Sequence, residues 1–349
     1  MIIPTDAMHI EKDTCLKPGT YYIPNGLDIL EDGITLDGSG AVLVGKAHNG
    51  SAVRLHGRNN VTVKNLRIMQ YKYGIEARRC QQITIEGCCI RDTSEVAPNT
   101  IFLDVWRNYE RSYGGAILLE RVIDSLVKDC DIQHQMTGMH VYHCHSLTVR
   151  NCNASYNSGW GYHLYETCGS MFENNYADYC CRYEPRGPNY GHMGADSAGF
   201  LIVHNSCRNI FRHNYARLSG DGFFLAGMAP TPTLDDYEPC GCNDNLFEAN
   251  DASLSPNIAF EATFSRGNVF RRNQARRCNY GFWLGFSTAN LIEENNITGN
   301  HAAGIAVENG VEMQATTNQI EENRYGILLW SKRLPDLEAY AANNDTSRD

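Results

Sequence analysis

The chain has 349 residues, 42% apolar and 20% charged, enough to bury a large core and unlike collagen or a disordered chain. Lys plus Arg number 30 against 40 for Asp plus Glu, and the net charge of -10 argues against nucleic acid as a partner. No run approaches the roughly 20 apolar residues of a membrane helix, and Met1 to Cys15 lacks a signal-peptide pattern, so no membrane partner and a cytoplasmic location are expected.

Residues 1–32 read as an N-terminal cap. From 33 to 330 a small residue recurs ahead of a short alternating strand, at Gly74, Gly115, Gly138, Gly161, Gly199, Gly222, Ala259, Gly281, Gly304 and Gly326. The period is about 22 to 23 residues, lengthened by insertions near 92–113, 182–197 and 228–243. Residues 331–349 form a polar tail. A second column runs Phe172, Phe211, Phe247, Phe270 and, three residues on, Asn175, Asn214, Asn250, Asn273, Asn295 and Asn318. Such columns make sense if coils stack about 4.8 Å apart as parallel strands, each side chain lying on its own kind. Roughly three short strands per coil and no helix-length amphipathic segment predict an all-β, single-stranded parallel β-helix of about eleven coils.

The repeat, with Lys17-Pro18-Gly19-Thr20-Tyr21-Tyr22 and the segment Gly33 to Ala41 at its start, resembles the right-handed parallel β-helix of the pectate-lyase-like superfamily, close to its NosD-type repeat proteins. That resemblance implies the fold. It leaves function open, because the superfamily holds hydrolases, lyases, epimerases, tailspikes and binding modules. The calcium-binding Asp clusters and catalytic arginine of pectate lyases, and the paired Asp motifs of polygalacturonases, have no counterpart here, so no catalytic residue is carried over. Among the 14 cysteines, Cys88, Cys130 and Cys152 share one inward column and Cys80 and Cys144 another, which predicts buried, reduced thiols. Cys240-Gly-Cys242 and Cys180-Cys181 lie in or near loops.

Along the strand after the small residue, alternate side chains point inward, and Ile75, Ala116, Met139, Tyr162 and Phe200 form a core column. The outward column reads Glu76, Ile117, His140, His163, Leu201, Phe224, Glu261, Trp283, and the next outward one Arg78, Leu119, Tyr142, Tyr165. The turn that follows carries Arg79, Glu120, His143, Glu166 and His204. A solvated face would favour Lys, Glu, Thr and Ser; this one concentrates acid-base and aromatic groups. The insertions, with Trp106 in the first and Asp196 in the second, are expected to rise as rims and make an open cleft for an oligo- or polysaccharide, its rings stacking on Trp106, Trp160, Trp283 and the tyrosines. Tyr142, Tyr165, His143, His204, Trp160, Trp106, Glu261 and Trp283 are the expected substrate contacts.

Hydrolysis or glycosyl transfer needs two carboxylates, and Glu120 and Glu166, two coils apart by about 9.6 Å, fit the separation of an inverting pair. His163, His140 and Asp196 join them as catalytic candidates, with no cofactor and no metal. A lyase or uronate C5-epimerase using His and Tyr is the alternative. Its polyanionic substrate asks for cations, which the sequence offers as Arg78 and Arg79 at one end and Arg107, Arg111, Arg182 and Arg186 in the loops. A metal-dependent variant would use His140, His163, Glu166 and His204. A non-enzymatic carbohydrate-binding or accessory β-helix is the remaining reading.

Overall fold

The computed structural model describes residues 1–97, 100, 102–187, 190–194, 196–228 and 240–332. Strands of two to six residues stack in parallel, and the chain winds as a right-handed β-solenoid of about 13 turns. Among the described residues the main face is a sheet of 13 strands, the second a sheet of 12, and the third splits into sheets of four and three. The turns exceed the eleven read from the repeat because Met8–Ile10 and Leu27–Ile29, in the opening segment, pair with each other, and Leu27–Ile29 pairs in turn with Ser51–His56, as rungs of the main sheet. No described helix is long and apolar enough to cross a membrane. The tail beyond Lys332 and most of the third insertion lie outside the described residues.

The repeat follows from what the coil interior admits. Phe172, Phe211, Phe247 and Phe270 stack with ring centroids 5.3, 4.8 and 4.9 Å apart, facing a second stack through Tyr162, Phe200, Phe223, Phe260 and Phe282. The small-residue column is needed because it packs against alanines: a Cβ on Gly161 would lie 2.6 Å from that of Ala177, and one on Gly199 2.6 Å from that of Ala216. Buried asparagines satisfy the corners. Asn250 Nδ2 donates to Asn273 Oδ1 (3.1 Å) and to the Phe211 carbonyl (2.9 Å), while its Oδ1 accepts from the Asn214 amide (2.9 Å). Each coil thus saturates the next one's buried polar groups. Cys80, Cys88, Cys130, Cys144 and Cys152 are buried thiols, and all 14 cysteines are free, Cys180, Cys181, Cys240 and Cys242 among them.

One coil departs from the sequence alignment. Ile117 pairs with Ile75 and Met139, so Ala116, not Gly115, occupies the small-residue column; Gly114, with φ of 100°, takes the preceding bend. A one-residue slip exchanges the two faces of a strand. Ile117 is therefore inward and Leu118 outward, and Glu120 stands between Arg78 and Tyr142. The corner column becomes Arg79, Arg121, His143, Glu166 and His204, each with left-handed φ between 46 and 55°.

Candidate functional site

The first insertion does not stand up as a rim. Its apolar residues Leu103, Val105, Trp106 and Tyr113 lie down on the outward face against Trp160, Leu201, Val203 and Ala226, forming a second hydrophobic cluster outside the solenoid core. The expected open cleft is thereby covered. Asp196, from the second insertion, is fully buried and accepts from the Leu103 amide (2.7 Å) and from Arg182, whose guanidinium also reaches the Thr100 carbonyl. Trp160 Nε1 donates to the Asp196 carbonyl (3.0 Å).

Beneath the insertion, His140, Tyr142 and His163 are 0% exposed. His140 Nε2 lies 3.1 Å from the Gly114 carbonyl, which can only accept, so that nitrogen carries the proton and Nδ1 is bare. His163 Nδ1, 3.0 Å away, then donates to His140 Nδ1. Tyr142 donates to the Arg107 carbonyl (3.1 Å), another tie to the insertion. Burial pushes the His140 pKa down to about 4 and that of His163 well below the usual range, so both rings are neutral at pH 7.

What remains open is the edge where strands turn the corner. Tyr165 and His204 meet there with ring centroids 4.2 Å apart and planes tilted by 30°, and line a cavity of about 280 Å³ with Asp104, Trp106, Arg107, Asn108 and Arg111. Burial lowers the His204 pKa against the opposing pull of Glu166, the Trp106 backbone and Asp104, which leaves the ring neutral near pH 7. On the other side of the short 3-10 turn Tyr109–Arg111, a cavity of about 430 Å³ is lined by His56, Gly57, Arg78, Arg79, Tyr109 and Glu120. Next to two of these residues, burial opposes ionisation of Glu76, yet hydrogen bonds from His56, Ser51 and Arg78 hold that carboxyl down to about 2. The insertion is also braced within itself: Arg107 lies 3.8 Å over the Tyr113 ring, and Asn108 Oδ1 caps the turn by accepting from the Arg111 amide (3.2 Å).

The sequence candidates fall into separate groups. Tyr165, His204, Trp106, His143 and Glu166 meet at the corner, the last two joined by a 2.8 Å hydrogen bond from His143 Nδ1. Glu120, 2% exposed, lies 2.8 Å from Arg121 and lines the second cavity. His140, His163, Tyr142, Trp160 and Asp196 are under the insertion. Glu261 and Trp283 lie farther along the sheet, where burial pushes Glu261 up to about 8 and Trp283 meets Tyr280 and Trp330 edge-on. Among the described residues no three His, Cys, Asp or Glu side chains are grouped to hold a metal. Sequence reasoning did not connect Arg107 and Arg111 with Tyr165 and His204, and it passed over Asn108. The available signal was the run Leu103, Val105, Trp106, too apolar for a free-standing rim.

Residues 103–236 and 237–345 match the family described as right handed beta helix region. The chain belongs to that family. No curated protein is similar to it in sequence. Among solved structures it is similar to the A-module of the Azotobacter vinelandii mannuronan C-5 epimerase AlgE4, at 14% identity and a TM-score of 0.64 over 92% of this chain and 91% of that one. It is also similar to PfbA, a surface adhesin of Streptococcus pneumoniae (10%, TM-score 0.56, covering 90% and 82%). A third is the DFA-IIIase of Arthrobacter chlorophenolicus A6 (10%, TM-score 0.50, covering 77% and 66%). At these identities the likeness is one of fold.

Proposed function

We propose that the β-helix is a carbohydrate-active enzyme acting on an acidic polysaccharide, and that its first chemical step removes the C5 proton beside a uronate carboxylate. The observation that carries this reading is the placing of Arg107 and Arg111 beside a neutral His204 in ring contact with Tyr165, in one cavity of a chain whose net charge is -10. Arginines paired with the substrate carboxylate stabilise the negative charge that develops when C5 loses its proton. His204 is the base, and Tyr165 beside it is the group that passes a proton to or from the sugar. Arg78 and Arg79 hold a neighbouring uronate in the second cavity. Elimination and epimerisation share this first step and differ in whether the carbanion expels O4 or is reprotonated. The mannuronan C-5 epimerase among the structural neighbours acts on a polymer of this class.

Hydrolysis by Glu120 and Glu166 receives less support. Glu120 is ion-paired with Arg121 and stands in the Tyr142 column, while Glu166 is engaged by His143 at the corner.

The test is incubation with polymannuronate, polygalacturonate and a neutral glucan in deuterated water, read by ultraviolet absorbance for a new C=C bond and by NMR for deuterium at C5. One of these signals is expected from an acidic polymer and neither from the glucan. His204→Gln should lower kcat by about 100-fold or more, and Arg111→Gln should mainly raise KM. Saturated cleavage products, with Glu120→Gln and Glu166→Gln inactive and His204→Gln active, would overturn the proposal in favour of hydrolysis.

A further inference from the structure

Twelve of the cysteines have burial or ordinary packing as a sufficient account; two, Cys168 and Cys207, differ in setting. They occupy the same place on consecutive turns. The Ser146 amide donates to the Cys168 carbonyl (3.3 Å), and one coil on the Gly169 amide donates to the Cys207 carbonyl (3.2 Å), which puts the two residues at equivalent places on neighbouring turns. Their Cα atoms are thus about 4.8 Å apart, inside the range a disulfide spans. The Cys207 amide donates to Cys168 Sγ (3.4 Å), so the Cys168 side chain leans toward its neighbour. Cys168 is partly exposed, whereas Cys207 is buried, its sulfur 3.6 Å from the Gly241 carbonyl. The column cysteines Cys88, Cys130 and Cys152 share the stacking but not the access.

We infer that Cys168 and Cys207 form a redox pair, in which Cys168 is the site of attack on a hydroperoxide and Cys207 the resolving thiol that closes a disulfide between two turns of the solenoid. The Cys168 thiolate attacks one peroxide oxygen; the S–O bond forms, the O–O bond breaks, and water leaves after taking up a proton. The Cys207 sulfur then attacks the Cys168 sulfenic acid, the S–S bond forms, and a second water leaves. Two thiols and one hydrogen peroxide give one disulfide and two waters. The surroundings favour the first step. Pairing with the Cys207 thiol, helped by the Cys207 amide, Arg208 and His145, holds the Cys168 thiol down to about 6 against the cost of its partial burial. The bond would staple the corner two residues beyond Glu166 and three beyond His204.

The experiment reads thiols and is independent of any enzymatic activity. The native protein at pH 6 is treated with hydrogen peroxide, blocked with N-ethylmaleimide, digested and analysed by mass spectrometry. A cross-linked peptide pair containing Cys168 and Cys207, short of two hydrogens, is expected. Without peroxide, Cys168 should be alkylated about tenfold faster at pH 6 than the partly exposed Cys15 or Cys89; its larger thiolate fraction outweighs the lower nucleophilicity of a more acidic thiol. Cys207→Ser should leave a sulfenic acid at Cys168 that dimedone traps, and Cys168→Ser should leave Cys207 unoxidised. Alkylation of Cys168 no faster than Cys89, or peroxide treatment that leaves Cys168 and Cys207 as free thiols, would overturn the inference.

Discussion

Replacing His140 with Gln, which keeps a donor for the Gly114 carbonyl but cannot titrate, isolates the acid sensitivity of the docked insertion. Burial lowers the folded pKa of His140 from 6.5 to about 4. The neutral ring is the form the fold accepts, because a proton on Nδ1 would face the N–H of His163 and break their bond. The contribution is therefore fully present above pH 6.5 and is lost as pH falls from 6.5 toward 4. At about 1.4 kcal/mol per unit the total is about 3 kcal/mol, of which about 2 kcal/mol is gone at pH 5. Other groups titrate in the same window with the opposite sign. Glu261, raised to about 8 by burial, favours the folded state more as pH falls. The quantity to measure is thus a difference: urea unfolding at pH 7 and pH 5 for wild type and for His140→Gln. Wild type should lose about 2 kcal/mol more than the variant over that interval, and the His140 ring should titrate near pH 4 by NMR. Parallel pH profiles for the two proteins would refute the neutral histidine pair.

Asp196→Ala should cost about 3 to 5 kcal/mol, because it takes the buried carboxylate from the guanidinium of Arg182 and the acceptor from the Leu103 amide; hydrogen exchange should rise across 102–113 while the Asn ladders stay protected, and uniform exchange would contradict a local latch. Phe247→Ala, at a ring stacked between Phe211 and Phe270, should cost about 3 to 5 kcal/mol by urea unfolding. A loss below about 1 kcal/mol would mean that the coil collapses around the gap.

The solenoid was legible because its constraints repeat. Phe247 and Asn250 recur on neighbouring coils for reasons that act once per turn, and a pattern enforced many times survives the reading of any one coil. The site was legible only in part, because what shapes it happens once. The alternation placed His140, His163, Tyr142 and Tyr165 outward as the sheet does, but periodicity carries no information about what lies on top. Whether an insertion rises or lies down depends on non-local pairing, such as Asp196 with Leu103 or Tyr142 with the Arg107 carbonyl. The misplacement of Glu120 has a narrower origin. Gly114 and Gly115 both suit a tight bend, and only pairing with Tyr73 and Thr137 decides which of them starts the strand.

A parallel β-helix face is flat, and columns spaced about 4.8 Å apart cannot by themselves surround a sugar. Laying the insertion across the face gives the corner a second wall, at the cost of enclosing His140, Tyr142 and His163, whose polar atoms must then be met inside the protein. This divides the face into two kinds of residue. Those beneath the insertion hold Arg107 and Arg111 in place through the backbone that carries them, so their loss acts by moving the arginines. Those at the corner, His204, Glu166 and His143, sit in left-handed conformations set by the winding of each coil and are not members of the solenoid's hydrophobic core. Under the proposed chemistry, loss of turnover at His204 with an intact fold speaks to proton transfer. The same loss at His140 speaks to the wall opposite.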